Sequence, residues 1–390
     1  MFDDLRVLEL ASVLAGPSVG QFFAELGAEV IKVENILTAG DVTRTWRVTG
    51  EQTDDRSSYF CSANWGKKSI AVNLNTSEGK EIIHALAKKS DIVIASFKAG
   101  DSAKFEVDYQ TLSGLNPSLI YGQITGYGPD NPRVGYDAVI QAEAGFMFMN
   151  GEPGGPSLKM PVALMDILAA HHLKEGILLA LLNRQRSGKG ELLEVSLIQA
   201  AISSLANQAT NWLVAGVIPR KQGSAHPNIA PYGNIFKTAD AHEILLSIGS
   251  DKQFKSLCLI TGIPDTPLDI DYRTNESRVK NRAALNILVS KRIELLPLQF
   301  LIEAFHKSNI PYGIVNNMKE VFDTTEAKRL LIHSNDRIGV QTLVSNSFRS
   351  NTSHIIPPPH LGEHTEEILL QTLEMSSDQV KFLIKSHIVG

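Results

Sequence analysis

The residue that first invites chemistry is Asp166, a carboxylate set in the apolar run Pro161-Val162-Ala163-Leu164-Met165-Asp166-Ile167-Leu168. Leu164, Ile167, Leu168, Leu173, Ile177, Leu178 and Leu181 recur mostly at helical spacing. The stretch 161–190 therefore reads as a helix with a buried stripe, Asp166 in its first turn, and Ser187-Gly188-Lys189-Gly190 as its stop. A carboxylate there can satisfy free amides at the positive end of the helix dipole, or it can take part in catalysis. The stretch alone leaves both roles open. Other reactive side chains offer less. His171 and His172 are adjacent, so a helix cannot turn both toward one metal, and they read as packing residues. Cys61 and Cys258 lie far apart, with neither a disulfide framework nor a metal-site spacing, and read as buried or half-buried thiols in a reducing cytoplasm.

The 390 residues are 43% hydrophobic and 20% charged, enough for a large core and for two domains. A net charge of -5 argues against nucleic acid or an anionic membrane surface as partner. The start, Met1-Phe2-Asp3-Asp4, has no basic leader pattern, and no apolar run reaches the roughly 18 residues that a bilayer requires. The expectation is a soluble cytoplasmic protein.

The elements that must position Asp166 follow from apolar runs and their punctuation. Residues 5–10, 29–34, 68–74, 91–97 and 119–124 read as strands; 19–26, 77–89 and 108–115 read as helices between them. Thr76 or Ser77 can cap the helix at 77–89, and Lys88-Lys89 suit its far end. Alternation of this kind implies an α/β fold with a doubly wound parallel sheet, whose ligands bind beyond the carboxyl ends of the strands, near 13–16 and 97–100. The first turn, 10–17, lacks the glycine fingerprint of dinucleotide binding, and no Walker-type lysine loop occurs. Residues 192–211 read as continuing helix. Loop-forming stretches at 222–227 and 230–233 then precede paired strands at 234–238 and 243–248, which open a smaller α+β domain. The tail, with helices near 365–373 and 377–386, is expected to pack back on the first domain. The expected division is 1–205 with 330–390 as the large domain, 225–320 as the small one, and 206–224 and 321–329 as linkers.

The ordered motifs resemble those of the family III CoA-transferases, the CaiB/BaiF and formyl-CoA transferase group. They include Val7-Leu8-Glu9-Leu10, Ala15-Gly16-Pro17, Leu26-Gly27-Ala28-Glu29-Val30-Ile31-Lys32-Val33-Glu34 and Gly40-Asp41-Val42-Thr43-Arg44. Asn64-Trp65-Gly66-Lys67-Lys68-Ser69-Ile70, Gly135-Tyr136-Asp137, Ala230-Pro231-Tyr232 and Leu361-Gly362-Glu363-His364-Thr365 follow in order, over nearly the whole chain. The resemblance implies a Rossmann-like large domain built from both chain ends, a small domain inserted in it, and an intertwined homodimer.

It also implies an activity, the transfer of CoA from an acyl-CoA thioester to a free carboxylic acid. Coenzyme A is then a substrate, and no tightly bound cofactor or metal is expected. Asp166 falls at the family's nucleophilic aspartate, which attacks the thioester and forms aspartyl anhydride and aspartyl-CoA intermediates. A helix N-terminus is expected to keep it ionised among apolar neighbours. Tyr136 matches a tyrosine that can stabilise an oxyanion. The positions matching CoA contacts are Leu14, Ala15, Asn35, Val72, Asn73, Leu74, Asn75, Ser96, Phe97, Lys98, Lys104, Arg133, Val134 and Gly135. Leu14 stands where formyl-CoA transferases carry a glutamine, which weakly favours a larger or less polar acyl group; a dicarboxylic donor such as succinyl-CoA is still compatible. Lys104 replaces an arginine, keeping the charge but losing the bidentate fork. His226 and Tyr232 fit either an acyl pocket or a structural loop. Two other readings stand beside the transferase. An α-methylacyl-CoA racemase shares the fold but has a histidine where Tyr136 stands, and tyrosine is a poor base at neutral pH. A catalytically silent CoA-binding protein would bind CoA without turnover.

Overall fold

The computed structural model describes residues 1–334, 337–344 and 355–390. Positions 335–336 and 345–354 of the expected large domain lie outside the described residues. The chain divides into two compact units: residues 1–144, 161–205 and 328–390 form one, and 145–160 with 206–327 form the other.

The first unit is built on six strands, β1 Arg6–Leu10, β2 Glu29–Asn35, β3 Lys67–Val72, β4 Ile92–Ala95, β5 Ile120–Thr125 and β6 Leu192–Ser196. They run parallel in the order β3-β2-β1-β4-β5-β6. The chain leaves β1 toward β2 and β3, then returns to place β4 on the other side of β1. That reversal opens a crevice at the carboxyl ends of the two strands. Strand β1 is buried almost throughout, the charged Glu9 included, as befits a strand covered on both faces.

Helix α1, Ala15–Glu25, starts earlier than residues 19–26 suggested. Pro17 falls in its first turn, where the missing amide is tolerated. After α2, Ser58–Cys61, comes α3, Ser77–Lys88, capped by the Thr76 side chain accepting from the Gly79 amide. Helix α4 spans Asp137–Glu143, and the long helix α5 spans Leu164–Ser187, ended by Gly188 at φ 68°. The buried side of α5 is Met165, Asp166, Ala169, Ala170, Leu173, Lys174, Ile177 and Ala180. This corrects the expected stripe, since Leu164, Ile167, Leu168, Leu178 and Leu181 are only half-buried. The small alanines let α5 approach closely, and a Cβ on Gly122 of β5 would meet the Leu173 side chain at 2.8 Å. His171 and His172 are exposed in this structure rather than packed, and His172 shares a hydrogen bond with the Ser203 hydroxyl.

Residues 192–211 are a further correction. Their first five residues are strand β6, paired with β5 from Tyr121↔Leu192 to Thr125↔Ser196, and only then do the helices Leu197–Ser203 and Ala206–Leu213 follow. The tail joins the first unit's core: Val380, Leu383, Ile388 and Val389 cluster with Leu8, Ile31 and Ile83.

The second unit carries a three-stranded antiparallel sheet, β7 Tyr232–Lys237, β8 Glu243–Ser247 and β9 Tyr312–Ile314, over a core that includes Phe254, Leu285, Leu301 and Phe305. The helix Ala206–Leu213, in a stretch read from sequence as a linker, belongs to this unit. No helix among the described residues is long and apolar enough to cross a membrane.

Candidate active site

A cavity of about 580 Å³ opens at the carboxyl ends of β1 to β4. Leu10, Ala11 and Ser12 line it from the end of β1, Asn35 from β2, Val72 from β3, and Ser96 with Phe97 from the end of β4. Lys32 and Asp41 also reach its wall.

Behind that wall lies a buried set of charges. Lys32 Nζ donates to Glu9 Oε1 at 3.0 Å and to the Ala11 carbonyl at 2.9 Å, and pairs with Asp41 Oδ2 at 3.0 Å. Lys67 Nζ pairs with Glu9 Oε2 at 2.7 Å and donates to the Pro17 carbonyl and Asn64 Oδ1, both at 2.9 Å. Burial by itself would lower the Lys32 proton affinity, but Asp41, Glu9 and Glu34 outweigh it and hold the ammonium above its ordinary range. Lys67, with Glu9 as its carboxylate partner, is pushed down by burial to about 8. Burial also opposes the charge on Asp41, yet Lys32 and the Thr43 amide hold its carboxyl below the usual value.

Asp41 passes this order on to the loop between β1 and α1. Its carboxylate accepts from the Val13 amide at 3.2 and 3.3 Å. Val13 has φ 71°, a left-handed conformation that a β-branched residue adopts only under strain. The carboxylate thus latches the turn that leads into Leu14 and the uncapped start of α1.

Asp166 is the third residue of α5, only 8% exposed, with no side-chain cap at the helix start. Burial first, and the nearby Asp137 carboxylate second, raise its proton affinity to about 7. Both effects work against the helix end, which was expected to keep it ionised. Asp137 opens α4, accepting from the Met165 amide at 2.8 Å and from Gln141 Nε2 at 2.6 Å. A phenol also senses this corner. Tyr59 of α2 is half-buried, and burial, then Asp166, Asp137 and Asp41, hold its phenol above the ordinary range. Tyr59 thus lies in electrostatic reach both of Asp166 and of Asp41 in the cavity wall.

The residues singled out from sequence fall into groups. Asn35, Val72, Leu74, Asn75, Ser96 and Phe97 line the cavity. Leu14 is the N-cap residue of α1 and Ala15 is buried behind it. Asn73 turns its side chain to the Asn75 amide, and Lys98 is exposed. Lys104 sits over the ring of Phe105, a lining residue, at 5.5 Å. Arg133 stacks on Tyr127 at 4.3 Å and pairs with Glu143 at 2.5 Å. Val134 and Tyr136 are exposed, Tyr136 by 58%. His226 and Tyr232, in the second unit, pack ring against ring at 5.1 Å. Asp54, Asp55 and His360 bring ligand atoms together, but Asp54 is held by Arg56 and Arg337 and Asp55 by Arg44 and His360.

Sequence reasoning missed Tyr59, which no motif marks. Asp41 and Asp137 stood inside quoted motifs without a role.

Gly135 has a steric reason to be glycine. A Cβ there would lie 2.6 Å from the Gly126 Cα, and the opposing group is backbone that cannot swing aside. Gly135→Ala is expected to lower stability by about 2 kcal/mol and to displace the start of α4, reducing turnover at least tenfold. Thermal melts beside steady-state rates check this; a variant with wild-type melting and rate would refute it.

The model of CoA-transferase family III matches residues 2–365. A succinate–glutarate CoA-transferase of Agrobacterium fabrum is 36% identical over 389 residues, covering 96% of both chains. The succinyl-CoA:glutarate CoA-transferase of Mus musculus is 34% identical over 397 residues, covering 99% of this chain and 90% of that one. The crystal structure of a CAIB/BAIF family protein from Brucella suis superposes with a TM-score of 0.80 at 37% identity, over 93% of this chain and 97% of the other.

Proposed function

The chain belongs to CoA-transferase family III, and from that premise we propose that it moves CoA between an acyl-CoA thioester and a carboxylic acid through covalent intermediates on Asp166. The observation that carries this reading is a buried carboxylate with no hydrogen-bond partner among the described residues, at the uncapped start of a long helix. An ionised Asp166 oxygen attacks the thioester carbonyl, the C–S bond breaks, and CoA thiolate leaves an aspartyl anhydride. The thiolate attacks the aspartyl carbonyl, giving aspartyl-CoA and releasing the donor acid. The acceptor carboxylate then attacks aspartyl-CoA, and the returning thiolate takes the new acyl group and frees Asp166. Every step exchanges one anion for another, so no net proton transfer is required once Asp166 is ionised.

The cavity at the ends of β1 to β4 is the proposed CoA site, with its lining residues Asn35, Asn75 and Ser96 as polar contacts, and with Lys104 and Arg133, outside that lining, as the proposed phosphate partners. Succinyl-CoA is the proposed donor and a short dicarboxylic acid the acceptor, supported by the names of the two glutarate transferases above. The exposed apolar residues Trp212, Leu213, Val214 and Val217 support an intertwined homodimer, and the unbridged Cys61 and Cys258 support a reducing, cytoplasmic setting.

Tyr59 is proposed to donate to the oxyanion that forms at the attacked carbonyl, with Tyr136 assisting from the more exposed side. Tyr59→Phe is expected to lower kcat by roughly 10–100-fold with KM for the thioester little changed, and Tyr136→Phe to cost less. Equal kcat for Tyr59→Phe and wild type would remove Tyr59 from the mechanism.

Intact mass spectrometry after incubation with a panel of acyl-CoA thioesters, trapped with hydroxylamine, tests the central reading. A trapped modification on Asp166, absent from Asp166→Ala, supports it and names a donor. Deuterium exchange at the α-carbon without an acceptor acid would favour a racemase instead. CoA binding with neither adduct nor exchange would favour a silent binder.

A further inference from the structure

The two helices that meet at Asp166 are joined by one carboxylate. Helix α5 starts after Ala163, which has no side chain able to cap the first turn. Asp137, the first residue of α4, fills that place from outside: one of its oxygens accepts from the Met165 amide at 2.8 Å, and the other accepts from Gln141 Nε2 at 2.6 Å. Met165 immediately precedes Asp166, so the bond fixes the turn that aims the Asp166 side chain.

The same carboxylate acts through space. The groups that face Asp166 are Asp137 from α4 and the Tyr59 phenol from α2, and no cation among the described residues offsets the repulsion. Gln141 is fully buried, and its amide holds the second Asp137 oxygen at 2.6 Å.

We propose that Asp137 is the positioning residue of Asp166, latching the first turn of α5 with one oxygen and holding its charge beside the nucleophile. This rests on Asp166 being the nucleophile. A more basic carboxylate attacks a carbonyl faster once ionised, but less of it is ionised at a given pH, as for attacking thiols. Burial and Asp137 together bring Asp166 to about 7, where the two tendencies balance at neutral pH. A helix cap alone would need only an acceptor. The charge adds a second property, and the two can be separated by substitution.

Asp137→Asn keeps an oxygen for the Met165 amide and removes the charge; Asp137→Ala removes both. The measurement is the single-turnover rate of adduct formation on Asp166 from succinyl-CoA between pH 5 and 9, followed by intact mass, with thermal melts alongside. For Asp137→Asn the midpoint of the rate–pH curve is expected to move down by roughly half a unit or more, with a several-fold lower plateau and near wild-type melting. Asp137→Ala is expected to show the same shift with a further loss of at least tenfold in the plateau. Should the Asn variant fail to fold, Asp137→Ser supplies a neutral acceptor for the same comparison. An unmoved midpoint in a folded neutral variant overturns the proposal while leaving Asp166 as nucleophile. Absence of any Asp166 adduct in the wild-type protein, with every donor tried, overturns the nucleophile assignment and this inference with it.

Discussion

Asp166→Asn is expected to abolish CoA transfer, lowering kcat by at least about 10⁴-fold, while CoA still binds and the protein becomes more stable at alkaline pH. The rate loss follows from covalent catalysis: an amide nitrogen or oxygen cannot form the anhydride. The stability gain follows from linkage. Asp166 titrates near 7 in the folded chain against 3.8 as its ordinary value. The folded state therefore binds more protons than the unfolded one between about pH 4 and 7, and wild-type stability falls as pH rises through that window. Above pH 7 the full cost of keeping the buried carboxylate ionised is present, at most roughly 4 kcal/mol for a shift of that size. The variant lacks the cost, so its advantage should be absent near pH 4, grow toward pH 7 and then level off. Denaturant melts of both proteins across pH 4–9 check this together with initial rates. A stability difference independent of pH would show that Asp166 does not titrate as described.

The largest destabilisation is expected from Lys32→Met. The substitution matches the side chain in length but leaves Glu9 and Asp41 facing each other without the ammonium between them. Breaking a buried pair by removing one partner typically costs about 3–5 kcal/mol, because a charge remains in the interior unsatisfied. Function should suffer beyond stability. Asp41 would lose the partner that keeps it ionised, and with it the hold on the strained Val13 turn at the cavity mouth. The folded fraction should therefore bind CoA at least tenfold more weakly. Urea unfolding and calorimetric CoA titration measure the two effects separately. A loss below about 1 kcal/mol would show that Glu9 and Asp41 tolerate each other, and would refute the role given to Lys32.

Strands β1 to β5 were legible because a parallel sheet covered on both faces demands short, mostly apolar runs, and the chain supplies them around the buried charges of Glu9, Lys32, Glu34 and Lys67. Strand β6 was not, because Leu192–Ser196 runs directly into a helix and only its pairing with β5 distinguishes it from that helix's first turn. The buried side of α5 was misread by about one residue for a similar reason. Ala169, Ala170 and Ala180 face the core, where close approach rewards small side chains that carry little hydrophobic signal. Asp166 stood out at once from its position. Its proton affinity did not, since burial and a carboxylate 28 residues ahead of Met165 in the chain decide it. Tyr59 belonged to no pattern at all, and only the folded arrangement brings it near three carboxylates.

The tail's place in the sheet has a consequence for synthesis. Val72 of β3 bridges Val389, the Asn73 amide donates to the Ile388 carbonyl, and Gly390 donates to Ala71. On a translating ribosome the sheet strands up to β6 emerge long before these partners exist. The intervening second unit, with its own sheet and core, is complete first and can fold as an independent body. The nascent first unit meanwhile presents the apolar surface that Val380, Leu383 and Val389 will cover. The half of the fold that begins first is thus the last to close.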